Sequence, residues 1–132
     1  MKTLESPEFG PSPKFRTIPM HEMSLTESVV DILAEEGRRQ GFSRVRKVWL
    51  EIGVLSGVEP EAMAFCFDVV TRGTLAEGAA LEIVRTPGQG WCLDCEKPVA
   101  LAERFGTCPD CGGGRVQMTG GDEMRVKELE VE

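Results

Sequence analysis

The chain has 132 residues, 41% of them hydrophobic, and a formal net charge of −7. This length suits one compact domain with a small appendage, and the acidic balance argues against a general nucleic-acid binder, which needs a basic footprint. No apolar run is long enough to cross a bilayer, and none near the N-terminus resembles the centre of a secretory signal. A cytoplasmic protein without membrane contact is therefore expected.

Residues 1–19 stand apart. The run Ser6-Pro7-Glu8-Phe9-Gly10-Pro11-Ser12-Pro13 is rich in proline and small polar residues and has no period. It is expected to be flexible. It reads as a native N-terminal extension, a cloning remnant or the product of a misplaced start codon, with Met20-His21-Glu22 as a second beginning.

Residues 24–40 predict a helix. Ser24 and Glu27 have capping-box spacing, Leu25, Val29, Ile32 and Leu33 form one apolar stripe, and Gly41 suits the stop. Glu35, Arg38 and Arg39 fall on the exposed face. Residues 45–52 predict a strand, because Val48, Leu50 and Ile52 alternate with Lys47, Trp49 and Glu51. A second helix is expected from about Glu59-Pro60-Glu61, with Met63, Cys66, Phe67 and Val70 inward and Gly73 as its stop. Cys66 reads there as a small buried hydrophobe. Residues 80–85 predict a short strand and Glu123 to Val131 a last one. In that last strand the apolar face shifts between Met124/Val126 and Leu129/Val131, as at a bulge.

Between those strands, Gly90 to Arg115 has no clear period and many glycines. It lacks the apolar content for a core of its own, so a metal is expected to hold it together. Of the five cysteines, four fall in two pairs: Cys92-Leu93-Asp94-Cys95, then twelve residues, then Cys108-Pro109-Asp110-Cys111. In a reducing compartment such pairs read as metal or redox sites. Two residues between cysteines let both sulfurs reach one ion from a tight turn, and two facing turns supply four tetrahedral ligands for zinc. Gly112 permits a left-handed backbone that aims N–H groups at the thiolates. Lys97, Arg104 and Arg115 are candidates to offset the excess negative charge. Rubredoxin-like iron uses the same ligands, and a thioredoxin-type redox pair or a nucleic-acid-binding zinc ribbon fits less well. A closed four-cysteine site leaves no position open for catalysis, so a structural role is expected.

His21 is the one histidine of the chain. By itself it reads as a solvated residue. If translation begins at Met20, the α-amine, backbone nitrogens and the His21 imidazole surround one small ion, a donor set that favours square-planar Ni(II) or Cu(II).

Several motifs together resemble one family. Met20-His21-Glu22-Met23-Ser24-Leu25, Leu50-Glu51-Ile52-Gly53-Val54-Leu55-Ser56-Gly57-Val58 and Phe65-Cys66-Phe67-Asp68 are similar to segments of the HypA/HybF hydrogenase maturation proteins. Gly78-Ala79 with Leu81-Glu82-Ile83, the two cysteine pairs with Gly112, and Gly121-Asp122-Glu123-Met124 extend the likeness, in the same order, from Met20 to Glu132. The resemblance implies an α+β fold: a small mixed sheet of about three strands packed with two helices, with an inserted zinc ribbon. The expected division is 20–88 and 116–132 for the nickel-binding domain and 89–115 for the zinc-binding one.

The resemblance further implies transfer of Ni(II) to the large subunit of a [NiFe] hydrogenase, a HypB-type GTPase as partner, and in some members service to urease. Residue by residue, His21 matches the nickel-binding histidine, Met20 and Glu22 its backbone and acidic neighbours, and Cys92, Cys95, Cys108 and Cys111 the zinc ligands. In the family the Met-His-Glu motif begins the chain, whereas here nineteen residues precede it, so Met20 offers an amide rather than an amine. No nucleophile–base pair or phosphate loop is visible, so ion relay rather than enzymatic catalysis is expected. The alternatives are a zinc-ribbon interaction adaptor without a nickel function and an iron electron carrier of rubredoxin type.

Overall fold

The computed structural model describes residues 2–5, 15–16 and 22–132. In chain order the elements are β1 (Lys2–Glu5), β2 (Phe15–Arg16), α1 (Glu22–Gln40), β3 (Val45–Gly53) and α2 (Pro60–Val70). They continue with β4 (Ala80–Thr86), β5 (Gly88–Cys92), β6 (Lys97–Leu101), β7 (Val116–Gly120) and β8 (Glu123–Val131). No helix among the described residues is long and apolar enough to cross a membrane.

The helices follow the apolar spacing. On α1, Leu25, Val29 and Leu33 are fully buried, while Glu35, Arg38 and Arg39 face solvent. The helix begins two residues earlier than expected, so Ser24 lies inside its first turn instead of capping it, and its carbonyl accepts the Ser28 hydroxyl at 3.1 Å. The inner face is also wider than the apolar pattern shows. Thr26 is buried because its hydroxyl donates to the Glu22 carbonyl at 2.7 Å and also meets the Met63 sulfur at 3.8 Å, which ties α1 to α2. On α2, Pro60 occupies the first turn, where its missing N–H costs nothing. Met63, Cys66 and Phe67 point inward. The helix closes at Thr71, whose N–H and hydroxyl both return to the Phe67 carbonyl, and Gly73 falls in the turn beyond.

The main sheet runs β1-β8-β3-β4, with β2 also on β8. β3 lies parallel to β4 and antiparallel to β8. The β8-β3-β4 part of this five-stranded mixed sheet and the two helices are as expected, and Val48, Leu50, Ile52, Met124, Val126, Leu129 and Val131 form the core with the inner faces of α1 and α2. Leu50 sits opposite Val126 and Trp49 opposite Glu128, which leaves Lys127 as the extra residue of a bulge. This bulge moves the apolar face of β8 from even to odd positions. On the outer face, Arg125 Nε donates to Glu51 at 2.7 Å.

Two findings depart from the sequence reading. Within the expected flexible segment 1–19, Lys2–Glu5 and Phe15–Arg16 pair antiparallel with β8, because the outer edge of that strand offers unpaired backbone groups. The segment expected to lack strands holds a second, three-stranded sheet of order β6-β5-β7. It spans Gly88 to Gly120 and so extends beyond 89–115 at both ends.

Glycines let the two sheets approach. A Cβ on Gly53, at the end of β3, would fall onto the carbonyl of Gly121. Gly121 has a φ of +86°, and a Cβ there would lie 2.5 Å from the Pro87 carbonyl oxygen. Leu55 N–H donates to the Gly121 carbonyl at 2.7 Å and Val54 N–H to Thr86 at 2.9 Å. From the loop after β6, Arg104 Nε–H donates to the Leu55 carbonyl at 2.6 Å. The cysteine-bearing sheet is therefore seated on the turn after β3.

Candidate metal centre

Cys92 ends β5 and Cys95 closes the turn into β6, while Cys108 and Cys111 occupy the turn before β7. Folding brings all four sulfurs within 4.8 Å of one another. Cys92 Sγ lies 3.7 Å from Cys111 Sγ, and Cys95 Sγ lies 3.9 Å from Cys108 Sγ. A tetrahedron with metal–sulfur bonds of about 2.3 Å has edges of about 3.8 Å. The cluster therefore has the size and chemistry to hold one ion by four thiolates. The core around it consists of Cys92, Val99 and Cys108, with Cys95 and Val116 against them. So few apolar side chains make a weak core by themselves.

Backbone amides surround the sulfurs. Cys95 N–H points at Cys92 Sγ at 3.3 Å. Asp110 and Cys111 N–H point at Cys108 Sγ at 3.4 and 3.5 Å, and Gly113 N–H at Cys111 Sγ at 3.4 Å. Gly112 has a φ of +70°, as its position required. The matching residue after Cys95 is Glu96, which adopts φ +51° without being glycine. The sequence reading missed it, although its place after the second cysteine of a pair is the same as that of Gly112.

Protonation responds to these donors. N–H groups of Cys111 and Asp110 bring the Cys108 thiol down to about 7, against the opposing effect of its burial. Cys95 is pushed up to about 12 by hydrogen bonding with the Cys111 and Cys92 thiols and by desolvation.

The expected cations divide. Lys97 Nζ pairs with Asp110 at 2.6 Å and Arg115 with Asp94 at 2.9 Å, so each turn carries an ion pair at the aspartate between its cysteines. Arg104 is not at the sulfurs at all, since its guanidinium is held by the Leu55 carbonyl. The repeated aspartate in Cys-Leu-Asp-Cys and Cys-Pro-Asp-Cys was the signal for these pairs.

The candidate nickel residues Met20 and His21 lie outside the described residues. Glu22 is the first residue of α1, is half-buried, and accepts the Thr26 hydroxyl at its carbonyl. The structure thus brings the four cysteines together and leaves the Met20-His21-Glu22 geometry undescribed beyond Glu22.

Comparison with known proteins fits this architecture. The family model described as "Hydrogenase/urease nickel incorporation, metallochaperone, hypA" matches residues 20–131. The hydrogenase maturation factor HypA of Albidiferax ferrireducens is 60% identical over 113 residues, covering 86% of this chain and 100% of the relative. The HypA of Rhizobium leguminosarum bv. viciae is 58% identical over 112 residues, covering 85% and 99%. Among solved structures, the solution structure of the Ni metallochaperone HypA from Helicobacter pylori aligns with a TM-score of 0.65 at 26% identity, over 85% of this chain and 97% of that one. On the strength of a match that takes in both helices, the mixed sheet and the four-cysteine cluster, the chain belongs to the HypA family of nickel-incorporation metallochaperones.

Proposed function

We propose that this protein binds Ni(II) through its Met20-His21-Glu22 segment and delivers it to the large subunit of a [NiFe] hydrogenase. The observation that carries the reading is the family match, which begins at Met20, immediately before α1. Nickel is cargo. His21 supplies an imidazole nitrogen, Met20 and its neighbours supply backbone nitrogens, and the acidic Glu22 adds negative charge beside them. In the 132-residue chain the Met20 nitrogen is an amide and must lose a proton to bind, whereas a chain starting at Met20 offers an amine. The longer chain therefore binds nickel more weakly near neutral pH. Cys92, Cys95, Cys108 and Cys111 hold a structural Zn(II), whose expected tetrahedral edge of about 3.8 Å agrees with the sulfur spacing. A HypB-type GTPase and, in some settings, urease accessory proteins are the partners this reading implies, in the cytoplasm.

The test is a calorimetric Ni(II) titration of zinc-loaded protein, in the full chain and in a chain beginning at Met20, each beside its His21→Ala variant. One tight site that His21→Ala abolishes is the expected result. Equal binding with and without His21 would remove this residue from nickel handling and favour a zinc-ribbon adaptor instead. Elemental analysis of the purified protein for zinc against iron settles the identity of the thiolate-bound ion.

A further inference from the structure

Among the elements of residues 22–132, three strands have an outer edge without a partner strand: β4 in the main sheet, and β6 and β7 in the second. Such an edge offers a row of backbone donors and acceptors to any extended chain unless something blunts it. β6 is blunted by Pro98, which has no N–H to give, and β7 is only five residues long and ends in glycine. β4 has neither device. It is seven residues long and reads Ala-Leu-Glu-Ile-Val-Arg-Thr, a run rich in strand-forming side chains.

The pairing with β3 fixes which backbone groups face outward. Val54 N–H donates to the Thr86 carbonyl at 2.9 Å, so the backbone of Thr86 faces β3. Successive residues of a strand turn their N–H and C=O groups to opposite sides, so Leu81, Ile83 and Arg85 turn theirs away from β3. Leu81 and Ile83 also pack against the core while remaining only half-buried. On the other face the Glu82 side chain is 54% exposed, with Lys47 Nζ 3.9 Å from its carboxylate. Arg85 is exposed.

These features define an occupant. A strand laid along β4 gains main-chain bonds to Leu81, Ile83 and Arg85, and its alternate side chains find the face on which Leu81 and Ile83 are half-covered. Apolar residues opposite Leu81 and Ile83, a basic residue opposite Glu82 and an acidic one opposite Arg85 complement the edge position by position. A second copy of β4 does not supply this pattern. An antiparallel copy centred on Ile83 sets Leu81 against Arg85 and Glu82 against Val84, and one centred on Glu82 sets that carboxylate against itself.

We propose that β4 is a docking edge for an extended segment of a partner protein, which joins the main sheet as a further strand. That segment places apolar, basic and apolar side chains across Leu81, Glu82 and Ile83, and an acidic one across Arg85. The docking does not depend on nickel binding at the N-terminal segment.

The probe is a capped peptide of sequence TETVKIT, written to lie antiparallel along β4 from Thr86 to Ala80, titrated into the metal-loaded, 15N-labelled full chain. The amides of Leu81, Ile83 and Arg85 are expected to shift saturably and gain protection from hydrogen exchange, with much smaller changes at Glu82, Val84 and Thr86. The charge-exchanged peptide TKTVEIT should bind about tenfold more weakly. The double variant Glu82→Lys with Arg85→Glu should reverse that preference. Arg85→Pro removes an outward N–H without touching the bonds to β3 and should weaken TETVKIT further than Arg85→Ala does. No saturable shift at β4 up to millimolar peptide, or a preference that the double variant leaves unchanged, would overturn the proposal. Shifts of the same amides that grow with protein concentration alone would assign the edge to a second copy and overturn it as well.

Discussion

The seat of the cysteine-bearing sheet makes a sharp prediction at Gly53. In Gly53→Ala the new methyl falls within 3 Å of the Gly121 carbonyl atoms and 2.9 Å from Asp122 N. These are backbone atoms, held from the other side by the close contact of Gly121 with Pro87 and Gly88, so no side chain can swing away to make room. Forcing extra volume into a packed site costs about 1–3 kcal/mol. Separating the chains also strains the Leu55 N–H bond to Gly121, and a stranded buried donor costs about 1–3 kcal/mol more. Together these give a loss of about 2–6 kcal/mol. With an unfolding entropy of about 2.1 cal/mol/K per residue, that corresponds to a Tm drop of roughly 7–20 °C.

The control is Gly57→Ala. Gly57 has a φ of +77° with nothing within 4 Å, so alanine there meets backbone strain of about 1–2 kcal/mol and no clash. Thermal unfolding of both metal-loaded variants by circular dichroism decides the matter, with hydrogen exchange at the Leu55 amide as a local reporter. A Gly53→Ala variant no less stable than Gly57→Ala would refute the reasoning, because it would mean that the strands are not pressed together at that point.

Two further outcomes follow from the metal centre. Metal binding displaces thiol protons, and Cys108 carries one below its value of about 7 but not above it. Apparent metal affinity should therefore fall more steeply with acid below that pH, by one additional proton per ion, in competition titrations against a chromophoric chelator; an unchanged slope would remove Cys108 from the titration. Glu96→Gly should raise the stability of the metal-loaded protein by about 0.5–1 kcal/mol, since a left-handed non-glycine residue costs about 1–2 kcal/mol and glycine's own entropy returns part of that. Glu96→Ala, measured alongside by thermal unfolding, should give no such gain.

The elements most legible in the sequence were those with a strong period. Val48, Leu50 and Ile52 alternate cleanly because β3 is central, with one face on the helices and the other on solvent. The parity change in β8 was readable as a bulge because a single extra residue reverses every later side chain. The strands around the cysteines were hidden for the opposite reason. β5 reads Gly-Gln-Gly-Trp-Cys, and its inward positions are Cys92 and two glycines that admit Leu55, Leu101 and Val116, so the buried face carries little hydrophobic signal of its own. β1 and β2 were illegible because edge strands four and two residues long owe their place to the strand they join, not to their own composition. The start of α1 was misplaced because a serine with capping-box spacing also fits inside a first turn, where the Ser28 hydroxyl reaches its carbonyl.

The charges around the thiolates were legible as residues but not as an arrangement, and the arrangement changes the physical account. Four thiolates around a divalent cation leave an excess of two negative charges. Lys97 and Arg115 look from the sequence like the offset, yet each is matched by an aspartate, so the two ion pairs add no net charge to the centre. They brace the turns instead, one across from β6 and one across to Asp94. The excess is met by the N–H groups of Cys95, Asp110, Cys111 and Gly113, fixed dipoles that a folded turn holds in place and an unfolded one does not. Stabilisation of the ion and order in the turns are then one property: the fold that brings the four sulfurs together also converges the amides on them. This explains how a segment with so small an apolar core keeps a fixed form, and why its glycines matter as much as its cysteines.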